Sequence, residues 1–478
     1  MVEGLVGMDA PFAPDDAEAE RLRLERPAVD VVWNDAKGRP WNLTVPPTVY
    51  PPREDTDLLA RALLNLGPGA GRTAFEVGVG SGALLLQMAA DGWAVSGCDV
   101  HPYAVAATRS MLTDQGHDSH VREGDLRDLD NEALERADLI LWNTPYLPPV
   151  SVDEAHLGPL EEASLSDPVP EGAGHALLAR LAMLPDRRDR TAMLVLRENA
   201  AVRLRADATK EGWCCVVEGR LEFDDGERLV VVALTKAWPH ATHHLVHSTG
   251  STNADLFGDE RRVGDSLRAE HQTEGRGRRT ASWASNGGDL TASWVLHNGP
   301  MPMPPHGLLQ AACGLATKDT LVDLGLVEEE RVVLKWPNDV LVDGNRLGKL
   351  GGWLIESRQQ GKHTRVVAGL GLNLTEGADA VDSTPRSTLI GPEASVLHAA
   401  LSVRLCARLS ELHSKRGRER LAAEALAAFQ ASATRLGMID EEGHPLSPTA
   451  LDDQGGLCVE GREQPLHDLD AVGWRFWP

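Results

Sequence analysis

The sequence predicts an α/β protein that has two successive α/β units and a small β domain at the end. Between residues 46 and 237, apolar β-like runs such as TAFEV, DLILWN and LVVVALTK alternate with Ala/Leu-rich helical segments. This alternation is typical of βαβ units in a mostly parallel sheet. A second unit, from about 245 to 435, contains the strands VVLKW and TRVVAGLGL and a long helical stretch.

The two ends of the chain and one internal segment have other patterns. Residues 1–45 are acidic and then Pro-rich, which predicts an N-terminal arm, and AWPHATHH (237–244) predicts a linker. In 437–478 the turn signals EEGH, DDQGG and EGRE separate short strand-like runs, which predicts a small SH3-like β-barrel. The domains expected are thus 46–237, 245–435 and 437–478, in agreement with about three domains for 478 residues at roughly 100–200 residues each.

Composition narrows the class of protein. A net charge of −24 disfavours general nucleic-acid binding, which needs a basic surface, so we expect no DNA partner. No apolar run reaches the roughly 18 residues that span a bilayer, and the acidic N-terminus lacks the pattern of a signal peptide. The six cysteines include no C-x-x-C pair, which argues against a disulfide scaffold or a structural zinc site. We therefore expect a cytoplasmic protein with no membrane partner.

Lysine is scarce in this chain. Only 8 of the 47 basic residues are lysine, and 39 are arginine. An acidic high-salt proteome and GC-rich codon usage explain this bias equally well. Under either explanation, the positions that keep a lysine are informative.

A glycine-rich loop follows the first strand of the first α/β unit. In FEVGVGSG (75–82), Gly78, Gly80 and Gly82 let the backbone approach a ligand closely, and a helix N-terminus follows. The spacing is G-x-G-x-G and differs from the G-x-G-x-x-G of dinucleotide binders. A glycine loop alone is a weak signal and is more often a tight turn than a ligand site.

Polar side chains end the next strands of this unit. Asp99 ends AVSGCDV, 23 residues after Glu76, where a carboxylate can accept hydrogen bonds from ribose hydroxyls. Asp125 and Leu126 end the third strand, and the run N-T-P-Y (143–146) follows the strand DLILW. Ligands in open α/β sheets bind at these carboxyl ends, so the combination predicts a ligand site.

Together these features resemble the class I S-adenosylmethionine-dependent methyltransferases, which have a Rossmann-like fold. The N-x-P-Y element resembles enzymes that methylate a planar amide or amino nitrogen. VYPPREDT (49–56) resembles the segment before the glycine loop in release-factor glutamine methyltransferases, especially the short archaeal and eukaryotic type. The resemblance covers roughly residues 45–237 and implies methylation of a protein glutamine, with a translation release factor as the partner.

The resemblance also implies roles by position. The methyl-donor site would be formed by Thr56, Glu76, Gly78, Gly80, Gly82, Asp99, Asp125, Leu126 and Asn143. The acceptor amide would be held by Asn143, Pro145 and Tyr146. Asn143 is the expected catalytic residue, because an amide nitrogen is a poor nucleophile and catalysis then depends on positioning it. The family pattern is N-P-P-Y, and here Thr144 replaces the first proline, which frees a backbone N–H and relaxes φ.

Two alternatives remain for this half of the chain. A methyltransferase-like domain that has lost its activity can persist as a platform that only binds a partner. An N-x-P-Y pocket can also hold the exocyclic amine of adenine in nucleic acid, although the acidic balance argues against that substrate.

Three segments of the second half carry another chemistry. They are HSTGSTN (247–253), EHQTEGRGRRTASW (270–283), and KWPNDV (335–340) followed by GKLGGWLIE (348–356). The guanidiniums of G-R-G-R-R can grip a polyphosphate or a phosphate-linked intermediate, and RNA binding explains such a loop equally well when it is taken alone. Lys335 leaves a strand into a Pro-Asn-Asp turn, where Asp339 can assist a magnesium ion on nucleotide phosphates. Lys335 and Lys349 are two of the eight lysines.

This set closely resembles biotin protein ligases over about residues 245–478, including GLGLNL (369–374) and the small β domain. The resemblance implies that biotin and ATP give biotinyl-5′-AMP, and that a lysine of a biotin carboxyl-carrier domain then attacks the activated carbonyl. The biotin contacts implied by position are Ser251, Thr252, Asn253, Gln272, Arg276, Gly277, Arg278 and Lys349, of which Arg276, Arg278 and Lys349 would be catalytic. Those for ATP and Mg²⁺ are Lys335, Asn338, Asp339 and Trp283, with Asp339 as the residue nearest the metal.

The ligase motifs depart from the family at two places. The family usually reads G-R-G-R-x-G-R-x-W, and here Thr280 and Ala281 replace the third glycine and the arginine after it. The segment 343–348 before Lys349 is also longer than usual. The sequence thus predicts a bifunctional enzyme, a biotin–protein ligase fused to a methyltransferase, that uses ATP, Mg²⁺, biotin and S-adenosylmethionine.

Overall fold

A computed structural model describes residues 22, 25–127, 129, 131–145, 172–185, 190–258, 260–277, 283, 287–300, 303–344, 346–377, 385–467 and 472–475. The chain divides into two compact units, Met1–Ala208 with Cys215–Thr235 and Thr209–Cys214 with Lys236–Pro478. No helix in the described ranges has the length and apolar character needed to cross a membrane.

The first unit is built on a seven-stranded sheet. The strands of this unit are β1 (Val29–Asn34), β2 (Pro40–Val45), β3 (Thr73–Val77), β4 (Ala94–Asp99), β5 (His120–Glu123), β6 (Leu139–Asn143), β7 (Thr191–Arg197), β8 (Trp213–Glu222) and β9 (Arg228–Lys236). Its helices are α1 (Glu54–Leu63), α2 (Ala83–Ala90), α3 (Pro102–Asp114), α4 (Asn131–Arg136), α5 (Ala173–Met183) and α6 (Glu198–Lys210). The strand order in the sheet is β5-β4-β3-β6-β7-β9-β8.

The order of strands places a crevice beside β3. The pairs among β5, β4, β3, β6 and β7 are parallel, and β9 runs antiparallel to β7. The chain moves outward from β3 through β4 to β5 and then returns to place β6 on the other side of β3. Connections that leave neighbouring strands in opposite directions open a crevice at the carboxyl ends of those strands, and ligands of open α/β sheets bind there.

A β-hairpin of β1 and β2 packs on the helices of this unit. Trp33 is buried, and its indole Nε1 donates to Asp57 Oδ1 on α1 at 2.8 Å. The backbone N–H of Ala36 donates to Gln87 Oε1 on α2 at 3.0 Å, and Leu43 is fully buried. The described part of the segment expected as an arm (1–45) is thus a hairpin that shares the core of the first unit.

The second unit is a mostly antiparallel sheet covered on one face by three long helices. Its strands are β10 (His243–Thr249), β11 (Ser266–Gln272), β12 (Leu290–Pro300), β13 (Val332–Lys335), β14 (Asp339–Asp343), β15 (Leu347–Gln360), β16 (His363–Leu372), β17 (Met438–Ile439), β18 (Pro448–Leu451), β19 (Leu457–Val459) and β20 (Gly473–Trp474). Its helices are α7 (Thr252–Asp255), α8 (His306–Asp323), α9 (Ala394–Glu411) and α10 (Lys415–Leu436). The main sheet has the order β10-β11-β12-β16-β15-β14-β13, and among these described strands only β10 and β11 are paired in parallel.

Two fully buried tryptophans join this sheet to the helices. Trp294 of β12 donates from Nε1 to Ser402 Oγ on α9 at 2.9 Å. Trp353 of β15 donates from Nε1 to Thr317 Oγ1 on α8 at 2.9 Å. Because a buried indole N–H needs an acceptor, these bonds fix which part of each helix faces the sheet.

The small β-barrel that the turn pattern predicted is not confirmed in the described C-terminal residues. The described residues after 437 form the antiparallel pairs β17 with β20 and β18 with β19 and the isolated bridges Ile439–Pro445 and Leu457–Leu466, and no closed barrel. Met438, Leu457 and Val459 are buried in the same core as the helices of the second unit. So few apolar residues cannot bury a core of their own, and these strands use the core of the preceding domain.

A buried ionic network joins α8, α9 and α10. The Arg408 guanidinium lies 2.8 Å from Asp319 Oδ2, 2.7 Å from Glu424 Oε2 and 3.1 Å from Glu411 Oε1. Arg404 lies 2.6 Å from Asp319 Oδ2. Burial disfavours the charged form of Arg408, but the carboxylates of Asp319, Glu411 and Glu424 outweigh that effect and raise its pKa.

Arg408→Met should therefore destabilise the second unit by about 1–3 kcal/mol, since it removes charge-assisted hydrogen bonds while Asp319 keeps Arg404 and Glu411 keeps Arg420. Chemical unfolding of the full chain, followed at the transition of the second unit, measures the loss. Arg416→Met, at an exposed position of α10, is the matched control and should change stability by less than about 0.5 kcal/mol. Equal stability of the two variants would show that the network contributes nothing.

Candidate active sites

A cavity of about 210 Å³ lies in the crevice beside β3. Most of the residues that the sequence predicted for a methyl-donor site line it, namely Thr56, Glu76, Gly78, Gly80, Asp99, Asp125, Leu126 and Asn143. Pro145 also lines the cavity, whereas Tyr146 lies outside the described residues. Gly82 is not among the lining residues.

The glycine loop bends sharply at the edge of the cavity. Gly78, Gly80 and Gly82 have φ values of 67°, 49° and 76°, in the left-handed region that favours glycine. A Cβ on Gly82 would lie 2.8 Å from Thr108 Oγ1, so packing against α3 also requires glycine there. The third glycine therefore shapes the loop without lining the cavity.

Asp99 supports this loop from the next strand. Its Oδ2 accepts from the Gly80 N–H and its Oδ1 from the His101 N–H, both at 2.8 Å. Burial raises the pKa of Asp99, while the two backbone N–H donors act in the opposite direction. The carboxylate thus holds the loop and lines the cavity at the same time.

Glu76 is a buried acceptor in the cavity wall. Within the described residues, its Oε2 has no hydrogen-bond partner. Burial, and next the charge of Asp99, raise its pKa well above the usual value. A ligand with hydroxyl or ammonium donors would satisfy this carboxyl, so the site fits a nucleoside such as S-adenosylmethionine.

Asn143 also has a buried atom that is not satisfied. Its Nδ2 donates to Asp55 Oδ2 at 3.1 Å, and its Oδ1 has no partner in the part of the chain that is described. Beside it, Thr144 is 2% exposed and donates from Oγ1 to the Val195 carbonyl of β7 at 2.5 Å. The hydroxyl of Thr144 thus anchors the loop at the position where the family has proline.

In the second unit, two lysines meet one carboxylate at the turn 336–338. Lys349 Nζ lies 2.8 Å from Asp339 Oδ1, and Lys335 Nζ lies 3.3 Å from Asp339 Oδ2. Burial opposes ionisation of Asp339, but the charges of Lys349 and Lys335 outweigh it and lower the pKa. Asn338 fixes the turn, since its Nδ2 donates to the Trp353 carbonyl at 3.0 Å.

A C-terminal residue contacts this cluster. The Lys335 ammonium lies 5.4 Å from the centre of the Trp474 ring of β20, within the range of a cation–π contact. The strand pair β17–β20 thus reaches the lysine predicted to serve ATP.

The residues predicted for biotin form a polar network. Gln272 Oε1 accepts from the Thr252 N–H at 2.9 Å and from Thr252 Oγ1 at 3.1 Å. Ser293 Oγ lies 2.7 Å from Thr252 Oγ1 and 2.6 Å from Asn253 Oδ1. Asn253 Nδ2 donates to Glu356 Oε2 at 2.7 Å and to the Leu354 carbonyl at 3.2 Å. Asn253 thereby connects β12 and β15, and Ser251, two residues before it, is also buried.

Three glycines bring these groups to one face of the sheet. Gly369 and Gly371 alternate with the buried Leu370 and Leu372 along β16, and Gly352 of β15 pairs with Gly371. We call Gly352, Gly369 and Gly371 the glycine face.

The glycine face carries parts of both predicted sites. A Cβ at Gly371 would overlap the Trp283 ring, and one at Gly369 would overlap the Asn253 amide. A Cβ at Gly352 would lie 3.1 Å from Asp339 Oδ1. The biotin network, Trp283 and the lysine cluster therefore share one face of two paired strands.

The Arg-rich loop begins beside this face. Trp283 N donates to the Gly275 carbonyl at 2.9 Å, which joins the two ends of the loop. Arg276 is exposed and Gly277 is half-buried, whereas Arg278 lies outside the described residues.

Several site residues were missed by the sequence reasoning. Asp55 stood in the motif VYPPREDT, but only its neighbour Thr56 was chosen. The alternation of Gly369 and Gly371 with leucine could have predicted a strand face that carries no side chains. Ser293 and Trp474 carried no local signal, because their partners are distant in sequence.

Comparison with known proteins identifies both units. The model of the biotin/lipoate A/B protein ligase family matches residues 246–373, and a methyltransferase-domain model matches residues 74–156. The biotin–[acetyl-CoA-carboxylase] ligase of Mycobacterium tuberculosis is 34% identical over 247 residues, which are 48% of this chain and 88% of that protein. This chain belongs to the biotin–protein ligase family. It is an enzyme with a ligase unit and a methyltransferase domain.

Other proteins are similar to single parts of the chain. The ligase of Paracoccus denitrificans is 36% identical over 152 residues, 30% of this chain and 59% of its own length. A biotin protein ligase structure from Aquifex aeolicus, in complex with biotin and ATP, covers 49% of this chain and 95% of its own, with 20% identity and a TM-score of 0.37. The Mtq2–Trm112 complex of E. cuniculi covers 40% and 99%, with 17% identity and a TM-score of 0.30.

Glu76→Gln should stabilise the ligand-free methyltransferase domain at neutral pH. An acid whose pKa is raised in the folded state costs stability as the pH rises from its unfolded pKa towards its folded pKa. The melting temperature of the wild type should thus fall, relative to that of the variant, as the pH rises from about 4 into the neutral range.

Thermal unfolding across this range measures the difference. Glu54→Gln, at an exposed position of α1, is the control and should keep the wild-type pH dependence. If Glu76→Gln kept the wild-type pH dependence of the melting temperature, the raised pKa of Glu76 would be contradicted.

Proposed function

We propose that the ligase unit attaches biotin to a lysine of a carboxylase carrier domain, with ATP as the activating substrate. The single observation that carries this proposal is the glycine face, which gathers the polar network, Trp283 and the Lys349–Asp339–Lys335 cluster. The acceptor class follows from the mycobacterial relative, whose name specifies acetyl-CoA carboxylase.

In this proposal the two lysines supply positive charge where anions meet. Attack of the biotin carboxylate on the α-phosphorus of ATP brings two anions together and releases pyrophosphate. Lys349, half-buried at the edge of the glycine face, would donate to the carboxylate and to the α-phosphate oxygen. Arg276 and Arg278 would close over the adenylate and keep water from it until the carrier lysine attacks and AMP leaves.

Lys335, Asn338 and Asp339 would form the nucleotide side of the site. Both oxygens of Asp339 face lysines here, so binding of a magnesium ion there would require Lys349 or Lys335 to turn towards the phosphates. Trp283 would border the adenine, and the polar network of Ser251, Thr252, Asn253 and Gln272 would hold biotin. We assign these roles within a catalytic domain over 245–435 and a small β domain over 437–478.

Lys349→Met should lower the rate of carrier biotinylation about 10²–10³-fold, because it removes a donor aimed at the developing charge. The assay follows transfer of labelled biotin to a purified biotin carboxyl-carrier domain by the full chain. Lys362→Met, at an exposed position of the ligase unit, is the control and should keep full activity. Full activity of Lys349→Met would contradict the site.

We also propose that the methyltransferase domain, within residues 46–237, methylates a glutamine side chain of a translation release factor. The motif N-T-P-Y and the buried, unsatisfied Oδ1 of Asn143 support this assignment. S-adenosylmethionine would be held by Glu76, Asp99, Thr56 and the glycine loop, and would supply an electrophilic methyl group. Asn143 Oδ1 would accept a hydrogen bond from the N–H₂ of the substrate glutamine and so aim the lone pair of that nitrogen at the methyl group. The proton released on transfer leaves to solvent.

Asn143→Ala should lower methyl transfer to a recombinant release factor about 10²-fold or more, because the acceptor loses its positioning contact. Binding of S-adenosylmethionine, measured by calorimetry, should change little. Failure of the wild type to bind S-adenosylmethionine would favour a domain that only binds a partner.

Transfer of the label to RNA or DNA would identify the nucleic-acid alternative instead. Thr144→Pro restores the family motif at the loop and removes the bond to the Val195 carbonyl, so it separates the role of the motif from that of Asn143.

A further inference from the structure

Asp55 holds the side chain of Asn143 from the side opposite its unsatisfied oxygen. Asp55 is 3% exposed and lines the cavity. Its Oδ1 accepts from the Thr56 N–H at 2.7 Å, and its Oδ2 accepts from Asn143 Nδ2 at 3.1 Å. Each carboxylate oxygen thus faces a donor.

The chemistry of these groups selects one orientation of the amide. A carboxylate only accepts hydrogen bonds, whereas a carboxamide has one donor end and one acceptor end. If the Asn143 amide were turned by 180°, its oxygen would face Asp55 Oδ2 and two buried acceptors would oppose each other. Asp55 therefore directs the nitrogen of Asn143 towards itself and the oxygen away.

We infer that Asp55 is a positioning residue that sets the polarity of the methyl-acceptor site. Asp55 fixes Asn143 Oδ1 as the atom that faces the group to be methylated, and so it selects a substrate group that presents N–H donors. A substrate carboxylate, which can only accept hydrogen bonds, would leave Asn143 Oδ1 without a donor. The inference rests on the proposed methyltransferase function and adds a residue that the N-T-P-Y motif does not contain.

The side chain of Asp55 is held in place before any substrate arrives. Asp55 is the second residue of α1, and its bond to the following N–H closes a short local ring. Thr56 Oγ1 also lies 3.4 Å from Asp55 Oδ1. The constraint on Asn143 is thus built into the start of a helix whose inner face is buried in the core.

Asp55→Asn tests this inference with almost no change in volume. The amide introduced at position 55 would offer its N–H₂ to residue 143, so the Asn143 amide should turn and present its nitrogen to the cavity. Methyl transfer to the release factor should fall about 10- to 100-fold, mainly in kcat, while the affinity for S-adenosylmethionine stays within about twofold.

The double variant Asp55→Asn with Asn143→Asp should recover much of the activity. In it the N–H₂ of the introduced amide donates to one oxygen of the introduced carboxylate, and the other oxygen faces the acceptor. Asn143→Asp alone places two carboxylates side by side and should be nearly inactive. Recovery in the double variant is not expected if Asp55 only stabilises the fold.

A readout that needs no substrate separates this inference from the proposed function. Labelling with ¹⁵N-asparagine makes the side-chain amide of Asn143 visible by NMR, and the loss of its signal in Asn143→Asp assigns it. Its N–H₂ hydrogens should exchange with solvent slowly in the wild type and faster in Asp55→Ala. If the wild type transfers no methyl group to the release factor, the proposed acceptor is wrong, and the amide exchange still tests the role of Asp55.

Asp57→Asn is the matched control. Asp57 lies on the same helix and accepts from Trp33 in the hairpin, and an asparagine oxygen can accept that bond equally well. It should behave as the wild type in all three assays. Wild-type transfer by Asp55→Asn, or unchanged amide exchange in Asp55→Ala, would overturn the inference.

Discussion

The need of every buried polar group for a partner organises both units of this protein. Asp99 is buried because backbone N–H groups satisfy it, and those same bonds hold the glycine loop. Asp339 is largely enclosed because two lysines neutralise it, and the pairing draws strands β13, β14 and β15 together. Two buried atoms that lack such a partner among the described residues, Glu76 Oε2 and Asn143 Oδ1, belong to residues that line the cavity. A ligand bound in the cavity would complete the structure at these two atoms.

Much of the architecture followed from periodicity and motifs. Alternating strands and helices predicted the parallel sheet of the first unit, and strand ends such as Asp99 and Asn143 identified the edge at which the cavity lies. Strand pairing in the second unit was harder to predict, because the register of an antiparallel sheet built from distant segments cannot be inferred from local sequence. The barrel expected over 437–478 was not confirmed for a related reason. Turn residues predict where a strand ends, but burial in another domain's core decides what the strand pairs with.

The scarcity of lysine was informative because of geometry. Lys335 and Lys349 converge on one carboxylate from opposite sides, where two compact ammonium groups fit and planar guanidiniums would need more room. Arginine serves instead where one side chain must reach several carboxylates, as Arg408 does. The sequence could point to the two lysines, but it could not supply Trp474 or Ser293, whose roles depend on long-range folding.

The glycine face has a consequence for how the ligase site can change over evolutionary time. Trp283 rests directly on the backbone of β16, so its position depends on main-chain atoms and not on a neighbouring rotamer. The glycine face carries no side chains that a substitution could shorten or lengthen. Most single substitutions there would displace the indole ring. New substrate preferences would therefore have to arise at the rim, in the loop between Gly275 and Trp283, while the glycine face stays as it is.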